Sequence, residues 1–309
     1  MATPITRSAH PALLWPGVAS IFGGKYNEYP PEWSQIFSKR TSGKAYEKFV
    51  EEGGFGMAPI KAEGAPIEYD SDTQGYTATF THAVWAKGFI VTREAIEDNQ
   101  YAEVAGRRAG KLAKAMRVTA ETVHANVLNR GFDANYPIGD GAPLFSNAHP
   151  TGAGNQSNII ATAADLSEAS LEAMAIQIAK MKDSAGLPIV GRIKRLIIGP
   201  DNVFNAERLL GSTLQPSQAG DGQTFNSNNI NALRSMGIIP EVVVNHYLTD
   251  TDAWFIQTDI DDALVSFWRR QPTLQQDTDF DTENARSKSS MRFACGVGDW
   301  RGLFGSAGS

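Results

Sequence analysis

Residues 93–131 constrain what the rest of the chain can be. The stretch opens with acids (Glu94, Glu97, Asp98), runs into a basic block (Arg107, Arg108, Lys111, Lys114, Arg117) and closes at Arg130 and Gly131. That order of charge suits a helix dipole, and Gly131 fits the position just past a helix end. Leu112, Met116, Thr119 or Ala120, Val123 and Val127 recur at spacings of three and four, so one narrow stripe is apolar. The rest of the circumference is charged or small. The spacing predicts a rod of roughly 30 residues and roughly 45 Å, longer than most globular helices. Such a rod props up something extended. Arg107, Lys111 and Lys114 share one of its faces, which makes them candidates for contact with a neighbouring chain.

Composition narrows the class. With 309 residues and 42% hydrophobic content the chain has enough apolar surface for one large domain or two. A net charge of −6 disfavours a protein built to hold phosphate backbones, so no sequence-specific nucleic-acid binding is expected. The single Cys295 permits no intrachain disulfide, and neither a signal peptide nor an apolar run of membrane-spanning length is visible. Synthesis in a reducing cytoplasm and no membrane partner are the expectations.

Residues 1–53 are interrupted by Pro4, Pro11, Pro16, Pro30 and Pro31, yet carry Leu13, Trp15, Ile21, Phe22, Tyr26, Tyr29, Trp33, Ile36 and Phe37. This is an apolar arm that needs a surface, on its own domain or on a neighbour's. Short helical pieces are expected at 33–37 and 44–51. Across 54–92 the period changes to two. The run from Tyr76 through Phe80 to Trp85 alternates and is rich in Thr and aromatics, after the turn residues Asp70, Ser71, Asp72, Thr73, Gln74 and Gly75. A long hairpin is predicted, with 65–69 in its other arm. A ribbon of that length is marginal alone and must be covered by its own body or by another copy. Asp72, Gly75, Tyr76, Phe80 and Trp85 are therefore candidate inter-subunit contacts.

Residues 132–158 form a long irregular passage. Asp165 to Glu168 resembles a capping box before a helix with Leu171, Met174, Ile178 and Met181 inward, ending near Gly186. Strands are expected at 195–200, 241–245, 253–257, 264–268 and 290–301, with a helix at 201–210 that turns Phe204 and Leu209 inward. A Gly/Ser/Asn-rich loop spans 211–229, and a tail spans 302–309.

Chemistry is sparse. His10, His82, His124, His149 and His246 are scattered, with no zinc-protease motif. Asp250, Asp252, Asp259, Asp261 and Asp262 cluster near strand ends without a calcium-loop pattern. Gly23-Gly24-Lys25 lacks P-loop spacing, and no helix can follow Gly296-Val297-Gly298 to hold a pyrophosphate. Ser287-Lys288 reads as solvated loop. Gly106 and Gly110 would suit close helix approach, but Arg107 and Arg108 exclude a lipid setting. No enzyme activity, cofactor or metal is expected.

The order of parts resembles the major capsid proteins of tailed bacteriophages, whose fold is shared with the herpesvirus capsid floor. Thr92-Arg93-Glu94-Ala95-Ile96-Glu97-Asp98-Asn99, Leu144-Phe145-Ser146-Asn147-Ala148-His149, Ile197-Ile198-Gly199-Pro200 and Val297-Gly298-Asp299-Trp300-Arg301-Gly302 are similar to the Mu-like major head subunit group. The resemblance implies an α+β fold. Its parts would be an N-terminal arm (1–53), an extended hairpin loop (54–92), a peripheral domain with the spine helix (93–159), an axial domain (160–265) and a peripheral return strand with tail (266–309). It further implies a structural subunit that self-assembles into pentamers and hexamers of an icosahedral shell around a phage genome, built in the host cytoplasm and resident in the virion. Scaffolding, portal and possible decoration proteins would then be separate chains. A cellular nanocompartment of the same fold is the alternative, and an ordinary soluble enzyme with an unrecognised site stays open as a third.

Overall fold

A computed structural model describes residues 15–71, 74–94, 101–214, 230–279 and 283–309, excluding the side chains of 15, 16 and 101–104. The predicted acids Glu97 and Asp98, the turn residue Asp72 and most of the 211–229 loop lie outside the described residues. The spine is a 29-residue helix, Tyr101–Asn129, here α3, about 44 Å long at 1.5 Å per residue. Its buried stripe is the predicted one: Leu112, Met116 and Ala120 are fully covered, and Val123 and Val127 partly so. Alanines at 105, 109 and 113 widen the stripe and let neighbours approach closely. Gly131 does not act as a left-handed stop. It has no positive φ, and a Cβ there would lie 2.5 Å from Phe145, so its small size makes room for that ring.

The N-terminal segment supplies α1 (Trp15–Tyr26), which runs beside α3, and the short α2 (Trp33–Ile36). Then β1 (Ser38–Thr41) joins a four-stranded sheet in the order β1, β8, β9, β4. Its other members are β4 (Ala83–Val91), β8 (Leu264–Thr278) and β9 (Ala285–Val297). On β9 the alternate residues Ala285, Ser287, Ser289, Met291 and Phe293 are buried, and α3 lies across β4 and β9.

A second sheet, in the order β10, β7, β5, β6, is assembled from β5 (Ile193–Ile198), β6 (Glu241–Val244), β7 (Trp254–Thr258) and β10 (Leu303–Ser306). Helices α4 (Glu168–Ala179) and α5 (Val203–Gly211) and the short α6 (Ala232–Ser235) belong to the same part of the chain. The α4 cap is not the one predicted: Ser167 and Ser170 bond each other reciprocally, and the helix ends at 179. Phe204 is 76% exposed rather than inward, because Ala206, Leu209 and Leu210 form the covered face of α5. The end of the chain is no tail either. Leu303 and Phe304 are buried and pair with Gln257 and Ile256, because the β7 edge is apolar and offers unpaired backbone groups. One continuous apolar core runs from α1 and the spine into the second sheet.

The largest revision concerns the hairpin. Residues 44–51 were expected to be helical; instead Tyr46–Glu52 form β2, whose half-buried positions alternate. This strand, not 65–69, is the antiparallel partner of β3 (Gln74–Thr81). Residues 53–71 contain no strand, as Pro59, Pro66 and several glycines there weaken any ladder. The alternating run from 76 to 85 divides at His82, with β3 in the two-stranded ribbon and β4 in the first sheet.

Candidate subunit interface

The base of the ribbon is fastened to its own chain. The Tyr76 hydroxyl donates to the Gly298 carbonyl at 2.7 Å. Phe80 is 6% exposed and meets Phe267 with ring centroids 5.4 Å apart, in a small cluster with Ala78, Val265 and Ala294. Trp85 stacks on Phe293 at 6.4 Å. Three aromatic residues named as candidates for contact with another copy are thus packed against their own chain, because β3 lies over β9 and β4 is part of the first sheet. Gly75 faces Glu51, whose carboxylate would clash with a Cβ at that position.

Glu51 is the pivot of this base. Its carboxylate pairs with Arg301 at 2.6 Å, with side chains 11% and 3% exposed, and Ser184 Oγ donates to the same oxygen. Arg301 also donates to Ser184 Oγ at 2.9 Å and lies over the Trp300 ring at 4.7 Å. Nearby, burial pushes Asp299 upward from the ordinary carboxylate range, against the pull of Arg301. Trp300 stacks on His149 at 4.0 Å. His149 bonds Asp140 at 2.6 Å and Asn158 at 3.2 Å, tying the irregular 132–158 passage to the same turn. His149, Asp299, Trp300 and Arg301 lie in the motifs quoted above, but no local pattern marked Glu51 or Ser184, more than 100 positions from Arg301, as partners.

Beyond this base the chain projects uncovered apolar groups. Phe55 is 61% exposed, Met57 83%, Ile60 100% and Tyr69 90%. Phe204, Met236 and Ile239, which fall between β5 and β6 in the chain, are exposed as well. Burial of such side chains contributes roughly 1.5–3 kcal/mol each, so groups of them on a surface mark contact sites.

Arg107, Lys111 and Lys114 are all exposed on α3. They line a groove with Arg117 and the α1 residues Ile21 and Lys25. Gly106 and Gly110 let α1 approach, with Ile21 Cδ1 3.2 Å from where a Cβ of Gly106 would stand. The acids at strand ends serve as turn caps and ion pairs instead of gathering: Asp250 accepts from the amides of Asp252 and Ala253, Asp259 accepts from Arg192 and Asp262 meets Arg40. Among the described residues no group of three or more His, Cys, Asp or Glu is placed to hold a metal ion. Among the same residues no helix is long and apolar enough to cross a membrane.

A spine helix across one sheet, a second sheet joined through a common core, and a loop whose apolar side chains its own body leaves bare define a shell-building structural subunit. The family model described as phage capsid protein matches residues 75–305, and the chain belongs to that family. It is a capsid protein, a subunit of the icosahedral shell that encloses a phage genome.

Among solved structures, the capsid of a native GTA particle is 13% identical, with 89% of this chain and 90% of that one covered and a TM-score of 0.55. The capsid of bacteriophage JBD30 decorated with minor capsid protein trimers is 13% identical over 72% and 92%, with a TM-score of 0.53. The virus-like particle from Pyrococcus furiosus is 12% identical over 94% and 97%, with a TM-score of 0.51. At these identities the likeness is one of fold. No curated protein matches the sequence.

Proposed function

We propose that the chain is the major, shell-forming subunit of its head and acts mechanically, without catalysis. Copies gather in pentamers and hexamers through heterologous surfaces that close into rings. Loop 53–71 lies over an adjacent subunit. Residues 160–265, joined by β10, form the axial domain, with Phe204, Met236 and Ile239 toward neighbouring copies. The spine and the first sheet form the peripheral domain. The observation that carries this reading is the set of apolar side chains on loop 53–71, with Ile60 wholly exposed.

Buried polar groups fit a structural role. His124, Glu121 and His149 spend their polar atoms on partners within the fold. Assembly takes place in the host cytoplasm with separate scaffolding and portal proteins. A decoration protein is a further partner by analogy with the decorated JBD30 capsid. Electron microscopy of the purified, concentrated protein should show closed particles or rings of five or six. A monodisperse monomer in both low and high salt would oppose the proposal. The likeness to the Pyrococcus furiosus particle favours one second reading, a cellular compartment. Particles that hold co-purifying protein cargo and no nucleic acid would support it.

A further inference from the structure

The first sheet carries a β-bulge that gathers arginines. Trp268 on β8 stands opposite Phe293 on β9, and Arg270 stands opposite Arg292. Arg269 is therefore an extra residue, and two arginines of β8 face one of β9 across the ladder. Like charges directly opposite one another on adjacent strands repel. Arg269 and Arg270 are exposed and Arg292 is half-buried. None of the three forms an ion pair among the described residues. Arg269 donates to the Lys44 carbonyl at 2.8 Å, and Arg292 Nε is buried without a hydrogen-bond partner.

His82, at the junction of β3 and β4, closes the site. It is 6% exposed, and burial followed by the charges of Arg292 and Arg269 pulls its pKa down from 6.5. Glu47, the acid that acts against them, is already held by Ser42 Oγ at 2.7 Å and by Lys44 at 3.5 Å. Because the Ser42 hydroxyl donates to Glu47, it accepts from His82 Nε2 at 3.0 Å. That leaves His82 Nδ1 buried without a partner. Buried polar groups ordinarily have partners. Three guanidinium groups without a counter-charge, beside two buried nitrogens without a bond, mark a place for an oxyanion.

The cations continue along the strand. Alternate residues share a face, so Arg292, Ser290 and Lys288 form one row on β9, opposite the buried row from Ala285 to Phe293. Lys288 is exposed, forms no ion pair among the described residues, and lies about 14 Å from Arg292 at roughly 3.4 Å per residue. Beyond it Arg286 is paired with Asp279. A single carboxylate would leave most of such a row unoccupied, whereas a polymer that repeats its charge would fill it. One strand of duplex DNA carries a phosphate for about every 3.4 Å of axis, and the shell built from this chain encloses a genome.

We propose that this face of the first sheet holds the nucleic-acid backbone, with one phosphate seated among Arg269, Arg270, Arg292 and His82 and a further contact at Lys288. Phosphate contacts carry no sequence information, so the binding is independent of sequence. The assignment turns this face of the subunit toward the interior of the shell.

The test is the binding of a short labelled DNA duplex to the full chain, followed by fluorescence anisotropy over a range of salt. Arg270→Gln with Arg292→Gln should weaken binding by about tenfold or more and reduce the slope of log affinity against log salt by about 2. Arg270→Gln alone, at an exposed position, should weaken it by about threefold without touching the fold. Duplexes of unrelated sequence should behave alike. Lys111→Gln with Lys114→Gln removes the same charge from another surface and should change affinity by about twofold at most. Inorganic phosphate should displace the duplex more strongly than chloride at equal ionic strength. Equal duplex affinity in the parent and both bulge variants would overturn the proposal. Calorimetric binding of inorganic phosphate that the double variant loses, with duplex binding kept, would overturn it in favour of the free ion. Loss of particles in the double variant with duplex affinity unchanged would overturn it in favour of a carboxylate on a second copy.

Discussion

Glu51 and Arg301, 250 positions apart in sequence, form a nearly buried ion pair at 2.6 Å that joins the ribbon base to the last turn of the chain. Removing one member of a buried pair costs about 3–5 kcal/mol when the other charge is left without compensation, and Asp299 at 3.4 Å from Arg301 keeps the loss here at the low end of that range. Glu51→Ala should therefore lower the stability of the dispersed subunit by that amount in urea titrations. Arg301→Met, which keeps the stem against Trp300, should also destabilise, and the double variant should lose less than the two single losses added together. Additive losses would show that the two side chains do not act as a pair.

Gly75 and Tyr76 sit at the same base. Gly75→Ala would push on a Glu51 carboxylate already held by Arg301, so a loss of about 1–3 kcal/mol is expected. Tyr76→Phe removes only the bond to Gly298 and should lose about 1 kcal/mol. Both effects should be present in dispersed subunits. Effects seen only in particles would instead place these residues between chains.

Loop 53–71 should behave in the opposite way. Met57→Ser with Ile60→Ser touches exposed groups and should shift subunit stability by no more than about 0.5 kcal/mol, yet abolish particles. Limited proteolysis should cut 53–71 readily in dispersed subunits and slowly in particles. Equal cleavage rates in both would show that the loop is not covered on assembly.

His124 makes subunit stability depend on pH. Its ring lies between Trp33 at 4.4 Å and Phe293 at 5.1 Å, and burial pulls its pKa down from 6.5 to about 4. The unfolded chain takes up a proton below about pH 6.5 that the folded chain refuses until about pH 4. The stabilisation is full above pH 6.5 and is lost as pH falls toward 4, by about 2 kcal/mol between pH 7 and pH 5. His124→Phe keeps an aromatic ring in the stack and gives up the Ser266 contact at 2.7 Å. Its stability, measured by denaturant titration at both pH values, should fall less than that of the parent by this difference. An unchanged slope would assign the acid sensitivity to other groups.

Local pattern along the chain was enough to specify the spine, its stripe from Leu112 through Ala120, the strands expected at 195–200 and 253–257 and found at 193–198 and 254–258, and the alternation from Tyr76 to Trp85. These features depend on which side of a segment avoids water, and that is written in neighbouring residues. The basic face at Arg107, Lys111 and Lys114 was legible for the same reason. What covers each apolar side was not. Whether its own body or another copy covers Tyr76, Phe80 and Trp85 was open in the sequence, and its own body does so because β9 and Gly298, more than 200 positions away, lie against them. Residues 44–51 carried no decisive period of their own and became a strand through pairing with β3. Leu303 and Phe304 looked like a tail until the β7 edge was placed beside them. Glu51, Arg301, Asp140 and His149 are ordinary polar residues in sequence, and only burial together makes them a fastening. Local sequence sets the faces of each element; the tertiary structure decides which faces meet and which, as on loop 53–71, are left for another chain.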